Sequence, residues 1–316
     1  SVGNMLSVAA GRLSYLYGMR VLSSTIDTAC SASLVATHVG VTAAAFAGQS
    51  ALSAGTNLCI IPEATQAANA AAMLAPDGRC KTLDVSADGY VRGEATGAML
   101  FSPHEEPYAN ACVLATNVNQ DGRSSSLTAP NGPAQQELIR ATLNIADVVP
   151  ADIHLIEMHG TGTALGDPVE IAALQATLTC GDSRTVPLWL SSLKARVAHS
   201  EAGAGVAGLV SILTDTANRK PHQIYSFRTV NPHVATSIDA AESSVQFYWT
   251  KSEAGMPSST ETGDKTLVAN SSFAFQGTNA HAISAVTINA PEQATRFCPI
   301  LRLSAVDHIW CIPYPD

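Results

Sequence analysis

Charge is scarce in this sequence. Asp, Glu, Lys and Arg make up only 14% of its 316 residues, and no block of lysines and arginines stands anywhere in it. A chain so poor in charge and 46% hydrophobic is a folded protein rather than a solvated or disordered one. Its 26 acidic residues outweigh 17 basic ones, for a net charge of -9, so nucleic acid finds no electrostatic footprint here. Cysteine pairs are missing too. The seven cysteines, at 30, 59, 80, 112, 180, 298 and 311, include no C-x-x-C spacing, which argues against zinc and redox motifs. An odd, scattered set also speaks against a disulfide framework, and reduced thiols make the cytoplasm the expected compartment. Apolar runs are broken by polar residues before they reach membrane-spanning length. The opening SVGNMLSVAAGRLSY has its charge and its apolar core in the wrong order for a cleaved signal. No metal centre and no membrane span are expected.

What the sequence does have is alternation. Residues 20–27 read as a strand and 31–47 as a helix with an apolar stripe. Strands are expected at 52–61, 95–102, 111–119, 153–159 and 186–193, and a last strand pair at 267–275 and 280–288. Helices are expected at 133–146 and 167–178, both with proline at the start, and a small-residue helix at 200–217. This is the pattern of a layered α/β fold. Between them, 76–94 is a long loop of the kind that carries function, and 252–265 reads as an exposed loop. Periodicity fades beyond residue 290. A strand–turn–small-residue pattern recurs near 20–34 and 267–283, which suggests two related halves.

Four stretches could carry chemistry. In IDTACSASL, Cys30 sits among small residues where a strand turns into a helix. The helix N-terminus would favour its thiolate, which at an ordinary pKa near 8.5 is only about a few per cent populated at neutral pH. A buried, inert thiol fits the same letters. In EMHGTGTALGDP, His159 leads into Gly160, Thr161, Gly162 and Thr163; the glycines allow close backbone approach and the hydroxyls can bond an amide-bearing chain. A glycine-rich turn with an incidental histidine reads equally well. In SSLKARVAHSEAGAGVAGL, Lys194, His199 and Glu201 precede the small-residue helix, as a cluster needing mutual partners or as a surface salt-bridge group. In NSSFAFQGTNAHAIS, Phe275 lies on a turn that could cover an apolar pocket, or simply packs.

Taken together, the stretches DTACSASLVA, LAPDGRCKTLDVSADGYVRGE, NVNQDGRSSSLTAPNGPAQQELIRA, EMHGTGTALGDPVEI, LKARVAHSEAGAGVAGL and SSFAFQGTNAHAI resemble the β-ketoacyl synthase family, in family order across residues 3–285. The resemblance is greatest to the ketosynthase domain of type I modular polyketide synthases. It implies a thiolase-like α/β fold of two pseudo-symmetric halves in α-β-α-β-α layers, with the first half incomplete. The halves would occupy residues 1–120 and 121–290, followed by a linker or divergent tail over 291–316, where LRLSA resembles a linker start. It implies a decarboxylative Claisen condensation, in which Cys30 takes an acyl group from an acyl carrier protein and a malonyl-type thioester extends it. His159 and His199 would assist decarboxylation and stabilise the enolate. Lys194 would pair with Glu201 and hold the cluster. Thr161 and Thr163 would contact the pantetheine arm. The N–H groups of Cys30 and Phe275 would form an oxyanion hole, with the Phe275 ring as a gate. No tightly bound cofactor is implied, only the 4'-phosphopantetheine borne by the carrier protein. A homodimer and a neighbouring acyltransferase domain are implied as partners. A fatty acid ketosynthase shares these motifs, and a degenerate, non-condensing carrier-protein-binding module is the other alternative.

The sequence departs from the family pattern in places. Arg196 and Ala198 stand where Asn and Gly are usual before the second histidine, and Ala274 and Gln276 replace glycines in the last motif. If those glycines serve left-handed backbone, each replacement costs stability or shifts its loop, and Gln276 alters access to the acyl pocket. The family's N-terminal segment before SVAAGRLSY has no counterpart, so uncovered sheet edges and apolar faces are expected to make the 316-residue chain aggregate on its own.

Overall fold

The computed structural model describes residues 5–104, 109, 111–179, 188–219, 224–239, 247–248 and 265–288. The expected loop at 252–265 falls outside the described residues apart from its last position, and the expected tail lies wholly outside them.

The chain opens with helix α1 (Leu6–Tyr17), ended by Gly18 in the left-handed conformation. Residues 20–27 form no helix and pair with no strand among the described residues, so the strand expected there is corrected to an unpaired segment. A single 3₁₀ turn (Ala29–Ser31) leads into α2 (Ala32–Ala47), again closed by a left-handed glycine, Gly48. Strand β1 (Ala51–Asn57) pairs antiparallel with β2 (Ala95–Phe101), with helix α3 (Pro62–Ala70) and the long 76–94 loop between them. The strand expected over 52–61 stops at Asn57, and Leu58, Ile60 and Ile61 lie exposed beyond it.

A second, six-stranded sheet forms the larger body. It uses β3 (Ala111–Gln120), β4 (Ile153–Glu157), β5 (Leu188–Ser191), β6 (Phe247–Tyr248), β7 (Lys265–Phe273) and β8 (Thr278–Thr287) in the order β3-β8-β7-β4-β5-β6. β7 and β8 form a hairpin, β3 adds antiparallel to β8, and β7, β4, β5 and β6 run parallel. Helices α4 (Gly132–Ala146) and α5 (Gly166–Leu174) cover one face, and α8 (Pro232–Asp239) packs on α5. Asn131 caps α4 by accepting from the Ala134 N–H, and Pro133 in its first turn needs no donor. The helix expected to 178 passes at Leu174 into a wider π turn over 175–179.

The other face is covered by α2 and α7 (Ala204–Ala217), which lie between the two sheets. The described residues therefore stack as sheet, helices, sheet, helices: four of the five expected layers. Strand alternation splits the core accordingly. Ile156 packs with Ile139, Ile171 and Leu174 beneath α4 and α5. Leu155 faces the opposite way, onto Leu34, Val206, Leu209 and Val268. Ile153 joins the first cluster rather than Leu155's, because a register shift between Ile153 and Leu155 reverses the alternation.

By length and composition, Ala29–Ala47 would pass for a membrane-crossing helix. Its first turn is buried from Cys30 to Leu34, and it packs on β1 and α7, so it is a core helix.

Candidate active site

Cys30 sits on the 3₁₀ turn ahead of α2, and Ala29 before it has φ of 51°, a sharp left-handed bend. Local hydrogen bonds hold that bend. The Ala29 N–H donates to Asp27 Oδ1 at 3.1 Å, and Ser31 Oγ donates to the Thr28 carbonyl at 3.0 Å. From far along the chain, Ser272 Oγ donates to the Cys30 carbonyl at 2.7 Å. The sulfur is thus fixed from both sides.

Its acidity runs against the helix-end argument. Burial pushes the Cys30 thiol up to about 11, more than Lys194 and the N–H groups of Phe275 and Cys30 pull it down, and Glu201 adds to the rise. Desolvation here outweighs the helix N-terminus. The resting group is a thiol.

Cys30 Sγ lies 3.1 Å from Nε2 of His199. His199 is fully buried, and its Nδ1 accepts the Glu201 backbone N–H at 3.2 Å. That bond puts the imidazole proton on Nε2, facing the sulfur. His159 follows the end of β4, two residues past the expected strand's real limit at Glu157. Its Nδ1 accepts the Phe273 N–H at 3.2 Å, which likewise leaves Nε2 as its donor. The two rings meet edge to face with centroids 5.6 Å apart. Burial lowers both imidazole pKa values well below the ordinary range, helped by Lys194 and, for His159, by His199. Both are neutral donors at physiological pH.

Lys194 opens a short helix, α6 (Lys194–Val197), and is buried beside this cluster. Its expected pairing with Glu201 does not occur. Glu201 Oε1 and Oε2 instead accept from Arg92 Nε and Nη2 at 2.8 and 2.9 Å, a two-pronged ion pair that uses up the carboxylate. A cavity of about 440 Å³ opens between Lys194, Arg79, Arg196, Ala198 and Tyr225. Cys30, His159 and Phe275 do not line it, and it meets the cluster through Lys194. Arg196 lies over the Tyr225 ring, 5.9 Å from its centre.

Thr161 and Thr163 lie on the loop after His159, their hydroxyls 3.2 Å apart, with Thr163 Oγ1 also accepting from Gly166 N–H. Phe275 lies in the β7–β8 turn and is 49% exposed, while its backbone N–H is near enough to the Cys30 sulfur to favour the thiolate. Gln276 folds back onto Thr278 within the turn. Of the three residues at family glycine positions, Ala198 is left-handed at φ 69°, whereas Ala274 and Gln276 are not.

Several supporting residues escape a reading by motif. Glu170 accepts from the N–H groups of His159 and Gly160 at 2.7 and 2.8 Å, and Asp167 ties Gly162 N–H to Leu83 N–H. Burial raises these carboxyls to about 7 and about 6 respectively, although the backbone donors oppose it. Their i, i+3 spacing on one helix was the available signal. Tyr90 and Arg92, alternate residues of an extended run, could be grouped by period two, but nothing in the sequence pointed that run at His199.

A thiol in contact with one neutral imidazole, with a second imidazole against that ring and backbone N–H groups near the sulfur, can hold a thioester and stabilise an oxyanion or enolate beside it. The chain belongs to the β-ketoacyl synthase family: its N-terminal-domain model matches residues 1–106 and its C-terminal-domain model residues 110–227. Among its relatives are a phenolphthiocerol/phthiocerol polyketide synthase of Mycobacterium tuberculosis, 38% identical over 89% of this chain and 13% of that protein, and the polyketide synthase GfsA of Streptomyces halstedii, 40% identical over 89% and 4%. The ketosynthase from module 6 of the bacillaene synthase of Bacillus subtilis 168 superposes with a TM-score of 0.81 at 31% identity, covering 90% of this chain and 51% of that one. This bears out the thiolase-like fold. The chain spans a small part of these curated relatives and about half of the solved ketosynthase.

Proposed function

We propose that this chain is the condensing ketosynthase of a polyketide synthase, a 3-oxoacyl synthase acting on carrier-protein thioesters. The observation that carries the reading is the 3.1 Å contact of Cys30 Sγ with His199 Nε2, with the His159 ring alongside. Similarity to polyketide synthases favours this over fatty acid synthesis, and the complete Cys–His–His set favours condensation over a binding module.

In the first stage, the Cys30 sulfur attacks the acyl thioester carbonyl, its C–S bond to pantetheine breaks, and the thiol proton leaves with the pantetheine sulfur. In the second, a malonyl-type thioester loses CO₂, and the electron pair of the broken C–C bond moves into an enolate. Nε2–H groups of His159 and His199 donate to that enolate oxygen without protonating carbon. The nucleophilic carbon then attacks the Cys30 thioester, a C–C bond forms, and Cys30 leaves as thiolate to be reprotonated. The N–H groups of Cys30 and Phe275 hold the oxyanion, Thr161 and Thr163 bind the phosphopantetheine arm, and Lys194 supplies positive charge to the centre. A homodimer, an acyl carrier protein, a neighbouring acyltransferase and a cytoplasmic setting complete this reading.

The test is to load the intact protein from an acyl donor, locate the acyl group by peptide mass spectrometry, and add a malonyl carrier protein. Acyl label on Cys30 followed by β-ketoacyl product is expected. A Cys30→Ala protein that still makes product would overturn the nucleophile, and acylation without condensation would support the binding module.

A further inference from the structure

His199 is flanked by strain. Ala198 at φ 69° and Glu201 at φ 39° both lie in the left-handed region while carrying side chains, so the turn that aims the imidazole needs something outside it to hold it. The extended run 90–93 does this with its backbone: His199 N–H donates to the Val91 carbonyl and Gly93 N–H donates to the His199 carbonyl, each at 2.8 Å. Its side chains close the arrangement. Tyr90 and Arg92 reach the same carboxylate, Tyr90 Oη donating to Glu201 Oε1 at 3.3 Å beside the Arg92 fork. The Tyr90 ring also stands edge-on to His199, 5.0 Å between centroids. Arg92 is anchored in turn by Nη1 donating to Thr65 Oγ1 at 2.7 Å.

This arrangement has an electrostatic side. The groups acting on the Cys30 sulfur are Lys194, which favours thiolate, Glu201, which opposes it, the backbone N–H groups of Phe275 and Cys30, the Tyr90 hydroxyl, and the neutral His199 imidazole in contact with it. Glu201 is therefore useful for its backbone donor and harmful for its charge, and Arg92 offsets that charge where it sits.

We propose that the Arg92–Glu201 pair is a positioning device that holds His199 Nδ1 against a backbone donor and shields the Cys30 sulfur from the carboxylate that does the holding. It rests on Cys30 as the reacting thiol, but not on condensation. Arg92 and Glu201 touch no reacting atom in this role.

The experiment is the pH dependence of Cys30 alkylation by iodoacetamide, in which the sulfur–carbon bond forms and iodide leaves, read by mass spectrometry in the intact protein. Glu201→Gln leaves Arg92 unbalanced and is expected to speed alkylation about three- to tenfold at a fixed pH, a profile displaced to lower pH. Arg92→Gln leaves Glu201 unbalanced and is expected to slow it by a similar factor. The double variant returns toward the wild-type profile. Arg92→Lys and Glu201→Asp keep the charges, so their profiles stay in place while kcat for condensation falls with KM little changed; they carry the test if the glutamine variants unfold. Single variants that move the profile in the same direction, or not at all, overturn the proposal. Failure of the proposed condensation would instead appear as wild-type protein acylated on Cys30 that makes no β-ketoacyl product, which leaves this readout untouched.

Discussion

Adding one methyl group at Gly205 should damage both stability and the site, whereas the same addition at Gly11 should not. A Cβ built on Gly205 falls 2.6 Å from Leu34 Cβ, 2.7 Å from its N and 3.1 Å from its Cα. Two of those atoms are backbone, so α2 must move away from α7 rather than a side chain swinging clear. Overpacking of this kind costs about 1–3 kcal/mol, against a helix-propensity gain of at most about 1 kcal/mol. Gly205→Ala is therefore expected to lose about 1–2 kcal/mol, or roughly 1.5–3 °C in Tm for a protein of this size. At Gly11, within α1, nothing lies within 4 Å of the added Cβ, so Gly11→Ala should gain about 0.5–1 kcal/mol. Leu34 sits one turn beyond Cys30, and Val206 N–H donates to Ser33 Oγ at 3.0 Å, so the displacement is transmitted to the turn that carries Cys30. Acylation of Cys30 should slow about tenfold in Gly205→Ala, since even about 1 Å of misplacement can cost a hundredfold. Urea unfolding and single-turnover acylation of both variants give the answer. A Gly205→Ala protein as stable and as readily acylated as Gly11→Ala would refute the reasoning.

The two alanines at family glycine positions should respond oppositely to glycine. Ala198→Gly relieves left-handed strain of about 1–3 kcal/mol and loses about 0.4–1 in chain entropy and about 0.8 in methyl burial, so it should leave stability unchanged or raise it, measured by urea unfolding. Ala274→Gly, with no strain to relieve and a buried methyl to lose, should cost about 1–2 kcal/mol; equal losses at both positions would contradict this. Asp84 supplies a pH signature. Burial alone would raise its carboxyl, but Ser86 Oγ and the N–H groups of Ser86, Arg228 and Thr229 donate to it and bring it down to about 2 from 3.8. Because the folded value is depressed, its stabilisation of roughly 2 kcal/mol is present above about pH 4 and disappears as pH falls toward 2. Asp84→Asn should accordingly be less stable by that amount at pH 7 and no different near pH 2, and a gap independent of pH would sink the assignment.

Much of this architecture is legible in the sequence because local chemistry and global fold agree. Asn131 and Pro133 mark the start of α4, and Gly18 and Gly48 stand where α1 and α2 end. The failures have physical reasons. Residues 20–27 have strand composition, but a strand needs a partner, and composition does not say whether one is present. The apolar run Leu58–Ile61 reads as more strand, yet only residues up to Asn57 meet β2. At the site, each element could be found as a motif, but partner choice between charges is a property of three-dimensional distance. Glu201 and Lys194 are seven positions apart and look like a pair, while Arg92, 109 residues upstream, holds the carboxylate. The acidity of Cys30 was equally hidden, because burial depth is set by the whole fold and not by the helix that follows.

The bond from Ser272 Oγ to the Cys30 carbonyl spans 242 residues, and the Cys30–His199 contact spans 169. On a ribosome, the turn that carries Cys30 leaves the tunnel long before the hairpin that braces it exists. Contacts this distant in sequence form late in folding. The cysteine consequently meets its histidines and its backbone anchor only when nearly all of the described fold is in place. A partly made or broken chain therefore carries the sulfur without the His199 contact and the Ser272 bond that set its geometry in the complete fold.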